Sequence, residues 1–161
     1  SISPDGTQAW VPSKQDNVGR GLARNGFDLD FQNTVRAISS RVKLIDQVED
    51  LESRVDHDNS SLATAAAYDP KGNYLLVALE TGRELAVLDA HGGWQVFRVD
   101  VGRAPQGLAL SDDGRRLYVH NFMDRSVQVL DLVPLLERGE NDLPTLATVG
   151  TVGTEALTAQ V

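Results

Sequence analysis

The stretch SDDGRRLYVHN at residues 111–121 decides the fold, because a polar turn containing Gly114 leads directly into an apolar strand. Glycine supplies the positive φ that a tight turn between antiparallel strands needs. The same arrangement occurs in SPDGTQAWV at residues 3–11 and in YDPKGNYLLV at residues 68–77. Three copies of one turn-and-strand unit indicate an internal repeat.

A second landmark follows each turn. It is VKLID at residues 42–46, LAVLD at residues 85–89 and VQVLD at residues 127–131. The aspartates that end these segments are 43 and 42 residues apart, and Gly72 and Gly114 are also 42 residues apart. A period of about 40–45 residues with four strands per unit is typical of a propeller blade.

The repeat predicts an all-β fold, namely a β-propeller fragment of about three four-stranded antiparallel blades with an incomplete first blade. We expect blade one over residues 1–58, blade two over residues 59–102, blade three over residues 103–153 and a C-terminal tail over residues 154–161. Blade one is longer than the period allows. Its surplus is rich in Gly, Asn, Asp and Arg, which predicts an inserted loop at residues 13–33.

Three blades are too few to close a ring, which usually has four to eight. The chain begins at a turn, so the innermost strand of blade one is expected to be missing. An open repeat array exposes apolar faces and strand edges that favour association. We therefore expect a piece of a larger propeller, completed by a neighbouring domain or by a second chain.

Charge and composition exclude several classes of function. Fifteen Lys and Arg against 23 Asp and Glu give a net charge of −8 and a pI near 4.7. Phosphate contacts need a basic face, so this balance argues against nucleic acid as a partner. The longest apolar runs, such as LLVAL at residues 75–79, are too short for membrane insertion. Cysteine is absent, so this chain has no thiolate ligand or Cys nucleophile.

Several motifs resemble the bacterial YVTN-type propeller repeats. They are the SPDG and SDDG turns at residues 3–6 and 111–114, APQGLA at 104–109, LYVHN at 117–121 and VQVLD at 127–131. This resemblance is specific for architecture, and folds of this kind host many functions.

A narrower resemblance is carried by AWVPSKQDN at residues 9–17, TVRAI at 34–38, LYVHNF at 117–122 and TEALTAQV at 154–161. These segments are similar to the last blades of propellers fused to a di-haem cytochrome c peroxidase-like domain. The resemblance implies a periplasmic or cell-surface bacterial protein in which the haem-binding part follows this segment. It implies no cofactor in this chain, with haem confined to the longer protein.

Propeller geometry places two sets of loops at one end of the blades: the loop after each second strand and the connection between blades. Functional residues commonly lie on such loops. The candidate binding face comprises Lys14, Asp16, Asn17, Arg20, Asp58, Glu80, Arg83, Arg103, His120, Asn121, Asp124 and Arg125. These side chains predict either a surface that docks a partner or small ligand, or a solvated rim with weak ion pairs.

No catalytic motif is present, so the first expectation is a non-catalytic scaffold or docking module. The alternatives are a small-ligand-binding propeller or a lactonase-like, metal-dependent hydrolase with Glu80, Asn121 and Asp58 as ligands. His120 is a candidate metal ligand or general base, and DHDN at residues 56–59 holds ligand types in a row without a calcium-loop pattern.

Aromatic residues are expected mostly inside the protein. Trp10, Tyr74, Trp94, Phe97 and Tyr118 are predicted to pack between blades. Phe27 and Phe122 lie in loops and are the candidates for an aromatic ligand platform.

Overall fold

The computed structural model describes residues 1–16, 35–58, 60 and 62–150. Its elements are β1 (Gln8–Asp16), β2 (Val35–Lys43), β3 (Val48–His57), β4 (Ala63–Tyr68), β5 (Tyr74–Leu79), β6 (Glu84–Asp89), β7 (Gln95–Asp100), β8 (Pro105–Leu110), β9 (Arg116–Asn121), β10 (Ser126–Asp131), α1 (Val133–Arg138) and β11 (Thr145–Gly150). They form three antiparallel sheets ordered β1-β2-β3, β4-β5-β6-β7 and β8-β9-β10-β11. We call these sheets blades one, two and three. Within these described residues, no helix is long and apolar enough to cross a membrane.

Each blade begins with the same hydrogen-bonded turn between its innermost and second strands. The first turn residue donates its backbone N–H across the turn at 2.8–3.0 Å, in the pairs Ser3–Gln8, Asp69–Tyr74 and Ser111–Arg116. The turn glycine has a φ between +67° and +75° in all three copies. In blade one, Ile2 pairs with Ala9. The innermost strand that was expected to be missing is therefore represented by residues 1–3.

The three turns also contact one another between blades. A Cβ atom placed on Gly72 would lie 3.1 Å from Cδ of Pro4, and one on Gly114 would lie 2.1 Å from Cγ of Pro70. Pro4 and Pro70 occupy the same position in consecutive turns. Each turn glycine thus leaves room for the proline of the preceding blade.

The prediction that Asp46 is equivalent to Asp89 and Asp131 is wrong by three residues. Strand pairing aligns Lys43 with these two aspartates, since each lies opposite the first residue of its neighbouring strand. Asp46 falls instead in the turn after β2. The spacing of 43 residues between Asp46 and Asp89 was therefore fortuitous, because the extended hairpin of β1 and β2 changes the sequence positions of the later strands of blade one.

The inserted loop does not begin at residue 13. Residues 13–16 continue β1, and Lys14 and Asp16 pair with Ala37 and Val35 of β2. The first part of the surplus thus lengthens a two-stranded hairpin, which satisfies backbone groups that a loop would leave unpaired. Residues 17–34 lie outside the described residues.

Two apolar clusters hold the blades together, one on each face of blade two. Toward blade one, Leu75, Val77 and Leu88 pack with Trp10 and Ala37. Toward blade three, Leu76, Leu85 and Val87 pack against a second cluster, whose members from blade three include Leu117, Val119, Leu130, Leu132, Leu135 and Leu143. The leucines of α1 and the segment after it therefore extend the contact between blades two and three.

Trp94 is not a core residue, in contrast to the prediction. It is 62 % exposed, in the turn between β6 and β7, whereas Trp10 is fully buried. Gly92 and Gly93 explain the difference, since the Trp94 ring lies over Gly92 and the space beside Gly93 is occupied by Trp10. Tyr74, Phe97 and Tyr118 are half-buried.

We predict that Gly114→Ala destabilises the protein much more than Gly6→Ala. Both substitutions place a Cβ on a residue with positive φ, which costs about 1 kcal/mol. At Gly6 the added atom meets nothing within 4 Å, whereas at Gly114 it collides with Pro70. Overpacking of this kind adds about 1–3 kcal/mol. Urea unfolding midpoints of the two variants would measure the difference, and equal losses would contradict the stacked-turn interpretation.

Candidate functional site

The turns after the second strands and the connections between blades meet at one end of the molecule, which we call the loop face. In the described residues it contains residues 80–83 and 122–125 in the turns, with Asp58, Ser60 and residues 101–104 in the connections. The turns that stack through Pro4 and Pro70 lie at the opposite end of the strands. The loop face brings together part of the predicted binding set.

An ion pair joins a turn to a connection on the loop face. The backbone N–H of Arg103 donates to Asp124 Oδ2 at 2.6 Å, and Arg103 Nε donates to Oδ1 at 2.5 Å. These two hydrogen bonds lower the pKa of Asp124 below its usual value. The backbone N–H of Met123 also donates to the Arg103 carbonyl at 3.2 Å. Arg103 and Asp124 thus hold the two segments in one arrangement.

Blade two has a related contact at the same place with different chemistry. The Ser60 and Thr81 hydroxyl oxygens lie 3.1 Å apart. The backbone N–H of Glu80 donates to the Leu62 carbonyl at 3.0 Å, as Phe122 donates to Ala104 at 2.9 Å in blade three. Because the contact recurs with unlike side chains, its shared role is to position the loops.

Asn121 is 1 % exposed, so its side chain is not presented to a ligand. Its Nδ2 lies 3.5 Å from Gln128 Oε1, which also accepts the Gly102 N–H at 3.2 Å. Gln128 Nε2 donates to Thr145 Oγ1 at 2.8 Å. A Cβ on Gly102 would lie 2.5 Å from Asn121 Cγ, so a glycine is required there. Asn121 Oδ1 is buried without a hydrogen-bond partner.

Arg83 and Arg125 occupy equivalent turn positions one blade apart. Both are exposed and adopt left-handed backbone conformations, with φ of 59° and 48°. Non-glycine residues pay a steric cost there. The positive charge of Arg83 also acts on Asp124 and helps to lower the pKa of that carboxyl. Two arginines, Arg103 and Arg83, therefore act on one aspartate in a chain that is acidic as a whole.

The remaining predicted residues are dispersed. Glu80 Oε2 accepts a 3.4 Å hydrogen bond from Gln106, and the Asp58 carbonyl accepts one from Arg98 at 3.0 Å. Lys14 and Asp16 are exposed on the extended hairpin. His120 is exposed on the face of blade three and contacts the Phe122 ring edge-on, with ring centroids 6.3 Å apart. Asn17, Arg20 and Phe27 lie outside the described residues.

The structure does not support a metal site in the part of the chain that it describes. No group of three or more His, Cys, Asp or Glu side chains there is placed to hold an ion. The Glu80 side chain contacts Gln106 and the buried Asn121 side chain contacts Gln128, so these two proposed ligands do not converge. His57, in the DHDN run, is 3 % exposed and points into the protein.

His57 is a buried polar residue that the sequence does not reveal as such. Its Nε2 lies 2.8 Å from Ser39 Oγ, and its Nδ1 is buried without a partner. Burial and the nearby Arg98 charge lower the pKa of His57 to about 4. The alignment of Ala37 with His57 across β2 and β3 places the ring against blade two. Only the pairing register shows this, and the bulge after Ser39 obscures the register in the sequence.

Comparisons with known proteins establish the propeller fold. No protein-family model and no curated protein matches the sequence. Among solved structures, Kuenenia stuttgartiensis hydrazine synthase aligns with a TM-score of 0.63 at 17 % identity over 81 % of this chain and 44 % of that one. The Myceliophteria thermophila Cps50 (Swd1) β-propeller domain aligns with a TM-score of 0.57 at 21 % identity over 73 % and 41 %.

A protein from Bacteroides uniformis, provisionally described as a 6-phosphogluconolactonase, aligns with a TM-score of 0.64 at 12 % identity over 94 % and 39 %. The chain thus spans about two fifths of the length of each of these three structures. At these identities the likeness shows the fold alone. The prediction of an all-β propeller fragment with an incomplete first blade is confirmed.

We predict that acidification destabilises the protein through His57. The folded pKa of about 4 lies below the unfolded value of 6.5, so the unfolded chain binds the proton more tightly. This contribution to stability is complete above pH 6.5 and is lost as the pH falls toward 4, by at most about 3 kcal/mol. Urea unfolding at several pH values would show a smaller loss in His57→Gln than in the parent.

The matched control is His91→Gln, because His91 lies in an exposed turn between β6 and β7. This variant should keep the pH dependence of the parent. An equal loss of stability in His57→Gln and the parent would contradict the assignment to His57.

Proposed function

We propose that this chain is a non-catalytic scaffold within a larger bacterial periplasmic or cell-surface protein, and that its loop face docks a neighbouring domain. The support is that charged side chains of the loop face bind other residues of this chain. Arg103 and Asp124 bind each other, and Glu80 contacts Gln106 of the next blade. These groups position loops and do not converge on a reaction centre.

The same arrangement leaves side chains available for contact. Met123 is 64 % exposed at the tip of a turn whose base is held by the Arg103–Asp124 pair. A contact residue on a fixed loop loses little conformational entropy when a partner binds. Arg83, beside Asp124, adds positive charge that would suit an acidic partner surface.

The resemblance to propellers that precede a di-haem cytochrome c peroxidase-like domain suggests which domain is docked. We propose that it is a haem-bearing electron-transfer domain of the longer protein, and that the propeller orients it. The propeller would contribute position and no redox chemistry, since the chain has no cysteine for covalent haem attachment.

Oxidative footprinting would test the docking proposal on the longer natural protein. Met123 is the single methionine of this chain, and Trp94 is a control of similar exposure, 62 %, at the opposite end of the blades. We predict that Met123 oxidises several-fold more slowly in the longer protein than in the 161-residue chain, while Trp94 does not change. Equal rates at Met123 would contradict docking at the loop face.

The visible spectrum of the longer protein tests the haem assignment separately. A Soret band is expected. A blank spectrum combined with protection of Met123 would keep the scaffold role and replace the haem domain with another partner.

The lactonase-like alternative predicts a metal ion bound to the native state. Saturating calcium at about 100-fold over its Kd would then stabilise the protein by about 2.7 kcal/mol. That corresponds to a rise in Tm of roughly 5–10 °C for a chain of this size. The scaffold proposal predicts an unchanged Tm in millimolar calcium, and a rise that Asp58→Asn removes would favour the hydrolase.

A further inference from the structure

The contact between blades two and three shows what covers the face of a blade in this protein. Two rows of side chains cross blade two on that face. One row is Ala67–Leu76–Val87–Phe97, and the other is Ala65–Ala78–Leu85–Val99. The central members are at most 1 % exposed, because the Leu117, Val119 and Leu130 side of blade three packs on them.

Blade three carries the same two rows on its outer face. They are Ala109–Tyr118–Val129–Ala147 and Gly107–His120–Val127–Val149. Here Tyr118, Val127 and Val129 are only half-buried, and Val149 is 61 % exposed. The rows pair as those of blade two do, and Ala109, Val127, Val129 and Val149 keep an apolar side chain at the equivalent positions, whereas Gly107 and His120 replace alanines. An apolar stripe with the same pairing as the covered one indicates that this open face receives another sheet.

Phe122 makes this open face different from the covered one. Phe122 is the counterpart of Glu80 in blade two, because Phe122 lies two residues after His120 just as Glu80 lies two residues after Ala78. Glu80 reaches the next blade and contacts Gln106 on its innermost strand. Phe122 is 56 % exposed, and its contact with His120 places it beside the open rows. A glutamine at the Gln106 position of a further blade would leave this ring without an apolar partner.

We infer that the outer face of blade three binds a further four-stranded propeller blade, and that the innermost strand of that blade has an apolar residue where blade three has Gln106. The chemistry of the contact is a Leu- and Val-rich sheet face against the two open rows, with Phe122 in an apolar pocket at the edge of the loop face. This inference rests on the proposed role as part of a larger propeller.

A second copy of this chain is a poor occupant, because it would present the outer face of blade one. Strand pairing places Arg36 and Asp56 on that face, and their side chains form an ion pair at 3.2 Å. Blade three instead covers blade two with Leu117, Val119 and Leu130, so the outer face of blade one is the more polar of the two.

A tandem chain would test the inference, with residues 101–150 repeated once after residue 150. Four variants of the tandem chain form a double-mutant cycle. The first copy keeps Phe122 or carries Phe122→Glu, and the second copy keeps Gln106 or carries Gln106→Leu. We expect Gln106→Leu to raise Tm by about 3 °C when Phe122 is present. Beside Phe122→Glu, the same change should have no effect or lower Tm. Hydrogen exchange would show whether the added copy is folded.

A rise in Tm from Gln106→Leu that depends on the presence of Phe122 supports the inference. Additive effects of the two substitutions, or an added copy whose amides exchange as in an unfolded chain, would overturn it. Sedimentation of the unmodified chain supplies a further outcome: a dimer abolished by Val129→Lys would show that a second copy occupies the face, which also overturns the inference. Because Met123 footprinting uses the longer natural protein, failure of loop-face docking is distinguishable from failure of this contact.

Discussion

The burial of both faces of blade two is the constraint on which the rest of the structure depends. A sheet with two buried faces needs apolar side chains at consecutive positions, and LLVAL at residues 75–79 supplies them. Its alternate residues enter different clusters, with Leu75 facing blade one and Leu76 facing blade three. The outer blades each bury one face in this way, so their other faces remain open.

The stacked turns at one end and the loop face at the other follow from this packing. Blades can approach only if their turns fit together, and the Pro70 contact with Gly114 meets that need. At the opposite end, the loops are held by hydrogen bonds between a turn and the preceding connection, as in the Arg103–Asp124 pair. Residues such as Met123 therefore project from a support that packing has already made rigid.

Much of this fold is predictable from the sequence, because turn glycines and strand periodicity are local signals. The strands of blades two and three fall within the ranges expected for those blades, with β4–β7 inside residues 59–102 and β8–β11 inside residues 103–153. Blade one was harder to predict, because the extended hairpin through Lys14 and Asp16 moves its later strands away from the positions that the 42-residue repeat predicts. The spacing of 43 residues between Asp46 and Asp89 was a coincidence that only the pairing register exposes.

The site was less predictable, because it depends on contacts between residues that are distant in the sequence. Sequence placed Asn121 with the exposed loop residues, yet Gly102 and Gln128 enclose it. His57 and Ser39 are 18 residues apart, and a bulge hides their alignment. Trp94 is exposed because adjacent glycines form a tight turn beneath it. Aromatic content alone could not show this, since Trp10 and Trp94 both come after a glycine-containing turn.

The structure of the longer natural protein would test the account most directly, through the density that lies over Tyr118, Val127 and Val129. The account predicts a four-stranded blade there, with an apolar side chain of its innermost strand against Phe122. Solvent over this face, or a domain of another fold packed on it, would contradict the account.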